Sequence, residues 1–367
     1  MIRGFLASSL LLSSALAAPT IDKKATNADQ VRWFGRVNPA TKELTWPGTG
    51  VSFTFKGTTA SVAIASSYGD NSFDLIVDGG APTEISQFSG SISTPKLSNA
   101  QHTVELRRRS ETTLGTVTLG NITADGKISP TVAPKRQIEL IGDSITVGYG
   151  LDGVLPCVNN AIVTDNPKTY GVLAANALNA DFHVVAWSGK GLIRNYVSPP
   201  SNPDTSPILP QLWTRYGAND ADGSYTFPSS WNPSAVVINL GTNDFGFQLY
   251  DASGQPYQAR QPIVGADFTA AMVKFVKQIQ VHYPKADFFL VGSPMLSDGY
   301  PAQDPAQKTK HTNAILAAIK QLNSAKMHYV DWPSQGSAVG CDYHPNAATH
   351  AAEAKVLAQA ISTALKW

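Results

Sequence analysis

The sequence predicts two domains of different classes, a β-sandwich or jelly roll followed by a three-layer α/β/α sandwich built on a parallel sheet. Three observations support this prediction. Apolar and polar residues alternate with period two in several short segments before residue 130. A proline-punctuated stretch follows, Ser129-Pro-Thr-Val-Ala-Pro134. After it, apolar strand-like runs alternate with helical stretches, as in domains whose parallel sheet is covered on both faces.

Residues 1–18 are expected to be a secretion signal that lies outside both domains. Arg3 supplies a positive start, Phe5–Leu16 is a short apolar run, and Ala15-Leu-Ala17 is a small-x-small cleavage motif before Ala18-Pro19. A membrane anchor is the alternative, but the run is too short to span a bilayer, and no later segment is long and apolar enough. We therefore expect a secreted, extracellular protein.

The composition excludes some classes of partner. The chain of 367 residues is 43% hydrophobic and only 15% charged, and its formal net charge is +1. Such a chain can bury a large core, but it offers no electrostatic attraction to nucleic acid or to an anionic membrane surface. We expect a monomer whose partner is its substrate.

The β domain is assigned to residues 19–130, the linker to 131–136 and the α/β domain to 137–367. The period-two segments of the first domain are Val51–Lys56, Ala60–Ala65, Ser72–Val77, His102–Arg107 and Gly115–Leu119. The strands predicted in the second are Gln137–Ile141, His183–Trp187, Ala235–Leu240, Phe288–Val291 and His328–Trp332. Its predicted helices are Thr169–Leu178, Ala266–His282, Thr309–Leu322 and Thr349–Leu365. Open α/β sheets bind ligands at the carboxyl ends of their strands, so the residues after these strands are candidates for a site.

Two covalent modifications are predicted. Cys157 and Cys341 are the only cysteines, and an even pair in a secreted protein favours a disulfide, with two buried free thiols as the alternative. Asn121-Ile-Thr123 is a glycosylation acceptor, whereas the proline after Asn232 excludes that site.

Three polar motifs follow the first three predicted strands of the α/β domain. Gly142-Asp-Ser144 would present a serine hydroxyl at the sheet rim beside helix amides, unless the serine only caps the helix. The glycines of Ser188-Gly-Lys-Gly191 allow a main-chain amide to approach a bound group, or only form a tight turn. In Gly241-Thr-Asn-Asp244 the Asn243 amide would donate to an oxyanion, or belong to a turn.

A histidine precedes the last predicted helix, in Cys341-Asp-Tyr-His344-Pro-Asn346. Beside a serine nucleophile, His344 would act first as general base and then as general acid toward the leaving alcohol. Its position separates it from the other histidines, because a proline follows it and the expected disulfide would hold its loop.

These four motifs, in this order, resemble the SGNH (GDSL-type) hydrolase superfamily over about residues 137 to 367. The resemblance implies a flavodoxin-like α/β/α domain and a serine hydrolase. It implies Ser144 as nucleophile, His344 as base, and an oxyanion hole formed by the Ser144 amide, a rim glycine and Asn243. Counting from the end of the strand favours Gly191 over Gly189 as that glycine.

A narrower resemblance, to carbohydrate esterase family 2, spans nearly the whole mature chain. It rests on Phe34-Gly-Arg36, Leu44-Thr-Trp-Pro-Gly48, Trp187-Ser-Gly-Lys-Gly191, Asn195-Tyr196 and Gly340-Cys-Asp-Tyr-His-Pro345. Enzymes of that family join a jelly roll to an SGNH domain and remove acetyl groups from plant polysaccharides such as xylan and mannan. The resemblance therefore implies a secreted deacetylase of xylan, mannan or glucan oligosaccharides that works through an acetyl-serine intermediate.

The sequence departs from the superfamily pattern beside the histidine. The usual acid stands three residues before the histidine, where this chain has Cys341, and the nearest acid is Asp342. A two-residue offset in an extended segment places Asp342 and His344 on one face. We expect Asp342 to orient the imidazole, with a main-chain carbonyl and a Ser–His dyad as the alternative.

Sugar binding would require aromatic faces and polar rims. The aromatic candidates near the predicted rim are Tyr196, Trp213, Trp231 and Tyr343, each of which could instead pack in the core or on the surface. The polar candidates, which could hold loops or sugar hydroxyls, are Asp152, Asn195 and Asp244.

Three other functions compete with the polysaccharide deacetylase. A lipase-like or general acyl esterase would need an apolar lid, and none is evident. A carbohydrate-binding protein without chemistry is opposed by the intact Ser144, Asn243 and His344. A metal-dependent deacetylase would need a ligand cluster, and His344 and His350 lack a recognisable ligand spacing. No metal or other cofactor is therefore expected.

Overall fold

Two antiparallel sheets followed by one parallel sheet make up the fold, seen in a computed structural model of the chain. The structure describes residues 30–197, 204–246, 261–302 and 304–367. The predicted secretion signal at residues 1–18 lies outside the described residues. Within them, no helix combines the length and the apolarity needed to cross a bilayer.

The first part of the chain is the predicted β domain. Its strands are β1 (Arg32–Phe34), β2 (Glu43–Leu44), β3 (Gly50–Gly57), β4 (Ala60–Gly69), β5 (Phe73–Val77), β6 (Thr83–Ile85), β7 (Ser91–Ser93), β8 (Ala100–Arg108), β9 (Gly115–Ala124) and β10 (Ile128–Pro130). One sheet has the order β1-β3-β8-β5-β6, with β10 also paired to β3, and the other has the order β2-β9-β4-β7. Apolar residues of both sheets, such as Phe53 and Val62, share one buried core. This confirms the β-rich domain that the period-two alternation predicts.

The second part confirms the predicted parallel sheet. Its strands are β11 (Arg136–Gly142), β12 (Ala180–Ala186), β13 (Ala235–Asn239), β14 (Asp287–Val291) and β15 (Met327–Val330), in the order β12-β11-β13-β14-β15. All four pairings are parallel. Its helices are α1 (Ser144–Val147), α2 (Tyr170–Ala177), α3 (Leu209–Leu212), α4 (Thr242–Phe245), α5 (Gly265–His282), α6 (Gln307–Leu322) and α7 (Ala347–Leu365).

Helices cover both faces of the parallel sheet. On one face, Leu357 of α7 packs in a buried cluster with residues of α2 and with Leu140 of β11. On the other, Phe275 of α5 and Ile315 of α6 pack in a cluster with Ile238 of β13. Strand residues are therefore buried from both sides, which is why these strands read as continuous apolar runs in the sequence.

Buried polar contacts join the two domains. The Arg36 guanidinium of the β domain forms a fully buried ion pair with Glu139 in the middle of β11. Arg109 of the β domain pairs with Asp165 at 2.9 Å. Removing one member of a buried pair leaves an uncompensated charge and typically costs about 3–5 kcal/mol. The β domain is thus fixed against the α/β domain.

Candidate active site

The carboxyl ends of three neighbouring strands converge at one edge of the parallel sheet. Gly142, the last residue of β11, is paired with Ala186 of β12 and with Asn239 of β13. The motifs after these strands therefore begin at the same level of the sheet. This edge is the site that the sequence predicts, at the point where the strand order reverses.

Ser144 is the first residue of α1 and is only 6% exposed. The cap of this helix is Asp143, whose carboxylate accepts the Ile145 N–H at 3.0 Å. The capping role is therefore filled by its neighbour. The Ser144 Oγ lies 2.9 Å from Nε2 of His344, which is the contact that a nucleophile and its base require.

The other ring nitrogen of His344 faces a main-chain oxygen. Nδ1 lies 3.1 Å from the carbonyl oxygen of Asp342. Because a carbonyl oxygen only accepts hydrogen bonds, this contact assigns the proton of the neutral ring to Nδ1. The lone pair of Nε2 is then directed at the Ser144 hydroxyl. The site has the arrangement of a Ser–His dyad with a main-chain orienting group.

The Asp342 carboxylate, which the sequence favours as the orienting group, points elsewhere. It accepts the Tyr149 hydroxyl at 2.8 Å and the Asn159 N–H at 3.3 Å. The expected residue is in place, but the contact with the imidazole comes from its main chain. The reason is the backbone, because Asp342 and Tyr343 are both left-handed, with φ of 51° and 64°, and not extended.

The predicted disulfide between Cys157 and Cys341 is present and pins this turn. Two main-chain hydrogen bonds reinforce it, from Cys341 N–H to the Gly150 oxygen at 3.0 Å and from Asp342 N–H to the Cys157 oxygen at 3.3 Å. The segment after α1 thereby holds the segment before α7. The loop that follows Ser144 therefore fixes the position of the segment that carries His344.

Tyr149 is a site residue that sequence reasoning missed. Its ring stacks on the His344 imidazole with centroids 4.2 Å apart and planes at 30°. Its hydroxyl holds the Asp342 carboxylate, so one side chain contacts both the base and the turn that orients it. In the sequence it is a single aromatic residue beyond the end of a short helix, and no pattern distinguishes it.

Gly191, the glycine favoured for the oxyanion hole, has an occupied amide. Its N–H donates to Oδ1 of Asn195 at 3.2 Å, and the residue is buried. Gly189 lies in the same turn, is half-exposed and has a left-handed φ of 78°. Among the described residues its N–H has no hydrogen-bond acceptor, and the same holds for Ser144. Gly189 is therefore the glycine of this turn whose amide has no acceptor among the described residues. Counting from the end of the strand could not show that the Gly191 amide is already bonded to Asn195.

The Asn243 side chain lies between these two groups. Its Nδ2 donates to the Lys190 main-chain oxygen at 2.9 Å and lies 3.4 Å from the Asp143 carboxylate. Lys190 follows Gly189, and Asp143 precedes Ser144. The structure thus brings the predicted Asn243 amide to the junction between the nucleophile turn and the glycine turn.

Asp244 and Asn195 hold the loop after β12. Both carboxylate oxygens of Asp244 accept main-chain N–H groups from that loop, those of Leu192, Ile193 and Arg194. Asn195 bonds the Gly191 amide and the Ser206 carbonyl. Of the three polar candidates, these two take the loop-holding role, while Asp152 pairs with Arg109 and Lys168 at the domain boundary.

Two of the four aromatic candidates are core residues. Trp213 and Trp231 are buried, and their indole N–H groups donate to Glu139 at 3.1 and 2.7 Å. These two predictions of sugar contact are wrong, because the indoles satisfy a buried carboxylate and have no exposed face. Tyr196 and Tyr343 are 41% and 66% exposed, and their contact with sugar stays a prediction.

Burial sets the ionisation of the groups around Ser144. It lowers the pKa of His344 to about 4, although the Asp342 carbonyl and carboxylate favour the protonated ring. It raises the pKa of the Asp143 carboxyl to about 7, and the nearby negative charge of Asp244 adds to this effect. At neutral pH, His344 is therefore uncharged and able to accept a proton.

No group of three or more His, Cys, Asp or Glu side chains within the described ranges is arranged to hold a metal ion. Asn121, the predicted glycosylation acceptor, is exposed on β9. Its modification stays a prediction.

Two family descriptions match consecutive parts of the chain. Residues 33–134 match "Carbohydrate esterase 2 N-terminal", and residues 140–352 match the "GDSL-like Lipase/Acylhydrolase family". The boundary between them falls at the start of the parallel sheet.

Similar proteins cover nearly the whole chain. A crystal structure of a Corynascus thermopiles (Myceliophthora fergusii) carbohydrate esterase family 2 enzyme plus carbohydrate binding domain is 66% identical, with a TM-score of 0.87, and covers 92% of this chain and 100% of its own. An acetylxylan esterase / glucomannan deacetylase of Cellvibrio japonicus is 32% identical over 94% of this chain and 92% of that protein. The cellulase/esterase CelE of Acetivibrio thermocellus is 31% identical over 91% of this chain, which spans 39% of that longer protein.

Proposed function

The chain belongs to carbohydrate esterase family 2 and is a carboxylic ester hydrolase, and on that basis we propose that it removes O-acetyl groups from plant cell-wall polysaccharides. The substrates would be acetylated xylan, mannan or glucan oligosaccharides. The observation that carries the proposal is the 2.9 Å contact between Ser144 Oγ and His344 Nε2 at the rim of the parallel sheet.

Acylation begins when His344 Nε2 takes the proton of the Ser144 hydroxyl and Oγ attacks the acetyl carbonyl carbon. The tetrahedral intermediate collapses, the bond to the sugar oxygen breaks, and the Nε2 proton passes to that oxygen. Water, deprotonated by His344 Nε2, then attacks the acetyl-serine ester. The bond to Ser144 Oγ breaks, the Nε2 proton returns to Oγ, and acetate leaves. Throughout, Nδ1–H donates to the Asp342 carbonyl and stabilises the transient imidazolium.

The negative charge of the intermediate would be stabilised by the main-chain N–H groups of Ser144 and Gly189 together with Asn243 Nδ2, whose longer contact with the Asp143 carboxylate, 3.4 Å, would give way to the oxyanion. These donors lie on three different turns that the register of the sheet brings to one level. Losing one donor of an oxyanion hole typically lowers kcat by about 10²–10³-fold. The Asp244 and Asn195 contacts would keep the glycine turn in place.

The sugar chain is proposed to lie along the rim beside the exposed Tyr343 ring. An open cavity of about 390 Å³ lies there, lined by Tyr343, Leu155, Gln335 and neighbouring serines. An exposed aromatic face with hydroxyl and amide groups around it matches the apolar faces and polar edges of a sugar. Two relatives named for xylan and glucomannan support this substrate class.

The enzyme is proposed to act outside the cell as a monomer. The Cys157–Cys341 disulfide supports this location, because such bonds persist in oxidising compartments. The polysaccharides named for its relatives are also extracellular.

The decisive assay measures acetate release from defined acetylated xylo-, manno- and gluco-oligosaccharides, with the deacetylated position mapped. The proposal predicts release from at least one of these and little hydrolysis of a long-chain 4-nitrophenyl ester. Efficient hydrolysis of the long-chain ester without acetate release from any oligosaccharide would support the lipase-like alternative. Activity abolished by a chelator and restored by a metal ion would support the metal-dependent alternative.

A further inference from the structure

A buried carboxylate of the β domain lies directly against the turn that carries Gly189. Glu111 stands between β8 and β9, far from the catalytic motifs in the sequence, and its side chain is fully buried. Its Oε1 accepts the Ser188 hydroxyl at 2.7 Å, and its Oε2 accepts the Ser188 N–H at 3.2 Å. The two carboxylate oxygens therefore bind the main chain and the side chain of one residue, the one just before Gly189.

The same carboxylate also reaches the loop that holds the histidine. Oε1 lies 3.5 Å from Asn159 Nδ2. The Asn159 N–H donates to the Asp342 carboxylate at 3.3 Å, and its Oδ1 accepts the Gly150 N–H at 2.8 Å. Glu111 is thus connected on one side to the glycine turn and on the other to the turn that orients His344.

Glu111 is itself firmly held by the β domain. The buried Arg108 guanidinium donates to the Glu111 main-chain oxygen at 2.7 Å and to the Leu44 carbonyl at 3.0 Å. Trp46, in the segment after Leu44, packs edge-on against Trp187 with centroids 6.4 Å apart. The turn from Trp187 to Gly189 therefore rests on two anchored groups of the β domain.

Burying a carboxylate is unfavourable unless hydrogen bonds compensate for the lost water. Burial raises the pKa of Glu111, while its bonds with Ser188 oppose that shift. An apolar side chain would fill the same space without this cost, but it could not bind the Ser188 N–H and hydroxyl. A buried carboxylate at residue 111 is explained if its contribution is to hold the Ser188–Gly189 main chain in place.

We propose that Glu111 is a positioning residue for ester hydrolysis, through which the β domain holds the Ser188–Gly189 turn so that the Gly189 N–H faces the oxyanion. The inference rests on the proposed function, and it gives the β domain a direct part in catalysis. Among the described residues, the hydrogen bonds of the Glu111 carboxylate go to Ser188 and Asn159 and not to Ser144 or His344. Its effect should therefore fall on kcat, since a displaced oxyanion donor weakens the transition state more than the ground state.

The test uses the full chain and 4-nitrophenyl acetate, a substrate that needs no sugar contact, with kcat normalised to the fraction of Ser144 that a fluorophosphonate labels. Glu111→Ala should lower kcat by about 10–100-fold with KM changed less than about twofold. Glu111→Gln should keep kcat within about threefold, because its amide can accept the Ser188 N–H and donate to the hydroxyl.

The matched control is Arg32→Ala. Arg32 also joins the domains, through an ion pair of 2.7 Å with Asp181, but Asp181 lies near the amino end of β12, away from the rim. This variant should lose thermal stability and keep the kcat of the unaltered protein. If Glu111→Ala does not fold, Ser188→Ala, which removes only the hydroxyl contact, should still lower kcat by about threefold or more.

The outcomes separate this inference from the proposed function. Full kcat in labelled Glu111→Ala or Ser188→Ala would overturn the positioning role while leaving the esterase assignment intact. An unaltered protein that neither hydrolyses the ester nor reacts with the fluorophosphonate would overturn the proposed function itself. If Arg32→Ala lowers kcat as much as Glu111→Ala does, Glu111 contributes only to stability and has no positioning role.

Discussion

The imidazole of His344 is oriented by the main chain of Asp342, whose carbonyl oxygen lies 3.1 Å from Nδ1. The carboxylate of the same residue stabilises the turn that aims this carbonyl, through Tyr149 and Asn159. Base orientation therefore depends on backbone conformation. A left-handed turn is costly for residues other than glycine, asparagine and aspartate, so the bonds that hold it become part of the site.

Replacing Asp342 separates this arrangement from a catalytic triad. Asp342→Asn should keep kcat within about threefold, because asparagine tolerates the left-handed backbone and can accept the Tyr149 hydroxyl. Asp342→Ala should lower kcat more, roughly tenfold, because alanine disfavours the left-handed backbone and cannot accept the hydrogen bonds from Tyr149 and Asn159. Steady-state kinetics on 4-nitrophenyl acetate measures both. A loss near 10⁴-fold in Asp342→Asn, as when a carboxylate orients the imidazole directly, would contradict the dyad.

The pH dependence should reflect the lowered pKa of His344. Only the neutral ring can take the Ser144 proton, so kcat/KM falls as the pH drops through this pKa. We expect kcat/KM to hold down to about pH 5 and to be halved near pH 4. Burial raises the pKa of Asp143 to about 7, so a change in rate near that pH could come from this carboxyl group. The Asp143→Asn variant, which cannot titrate there, is the control. An acid limb near pH 6.5 that persists in Asp143→Asn would contradict the account.

The disulfide should support catalysis as well as stability. Cys341 directly precedes Asp342, so a Cys157→Ser/Cys341→Ser variant should loosen the turn that orients His344. We expect the unfolding free energy to fall by about 2–5 kcal/mol. Measured at a temperature where the variant stays folded, kcat should fall at least several-fold, with Ser144 labelling used to count intact sites. Unchanged kcat in the folded variant would show that the turn is held by its hydrogen bonds alone.

Glu353 should make the fold less stable as the pH rises from about 4.5 to about 8. Its carboxyl group is 3% exposed, and among the described residues neither oxygen has a hydrogen-bond partner. Burial raises its pKa from 4.5 to about 8. Between those values the folded state keeps a proton that the unfolded state releases, so stability declines as the pH rises.

Glu353→Gln should remove this decline. Its melting temperature should match that of the unaltered protein near pH 4.5 and exceed it by roughly 5 °C at pH 9. Asp267→Asn, which changes an exposed carboxylate on α5, is the control and should shift neither value. If Glu353→Gln is equally destabilised at both pH values, ionisation of Glu353 does not cause the pH dependence of stability.

Periodicity in the sequence identified the sheets well, because the three central strands of the parallel sheet are buried on both faces and long strands of the β domain, such as β8 and β9, alternate between buried and more exposed residues. Because parallel strands end at the same edge of a sheet, the positions of the motifs also predicted that Ser144, Asn243 and His344 lie close together. The residues it could not find, Tyr149 and Glu111, act through contacts between segments that are distant in the sequence, and no local pattern marks such contacts.

The errors have a common physical origin in local geometry. Choosing Gly191 over Gly189 required knowing that Asn195 already accepts the Gly191 amide. Assigning the orienting role to the Asp342 carboxylate assumed an extended segment, whereas the chain turns left-handed there. Trp213 and Trp231 lie near rim loops in the sequence but fold inward to a buried glutamate, Glu139.

We expect Ser144 to form an acetyl ester during turnover. The most direct measurement is mass spectrometry of the protein quenched with acid in the first moments of reaction with acetylated xylo-oligosaccharide. A transient acetyl adduct should form on the peptide containing Ser144, and a folded Ser144→Ala variant should show neither the adduct nor acetate release. Acetate release that continues at a normal rate in Ser144→Ala would contradict it.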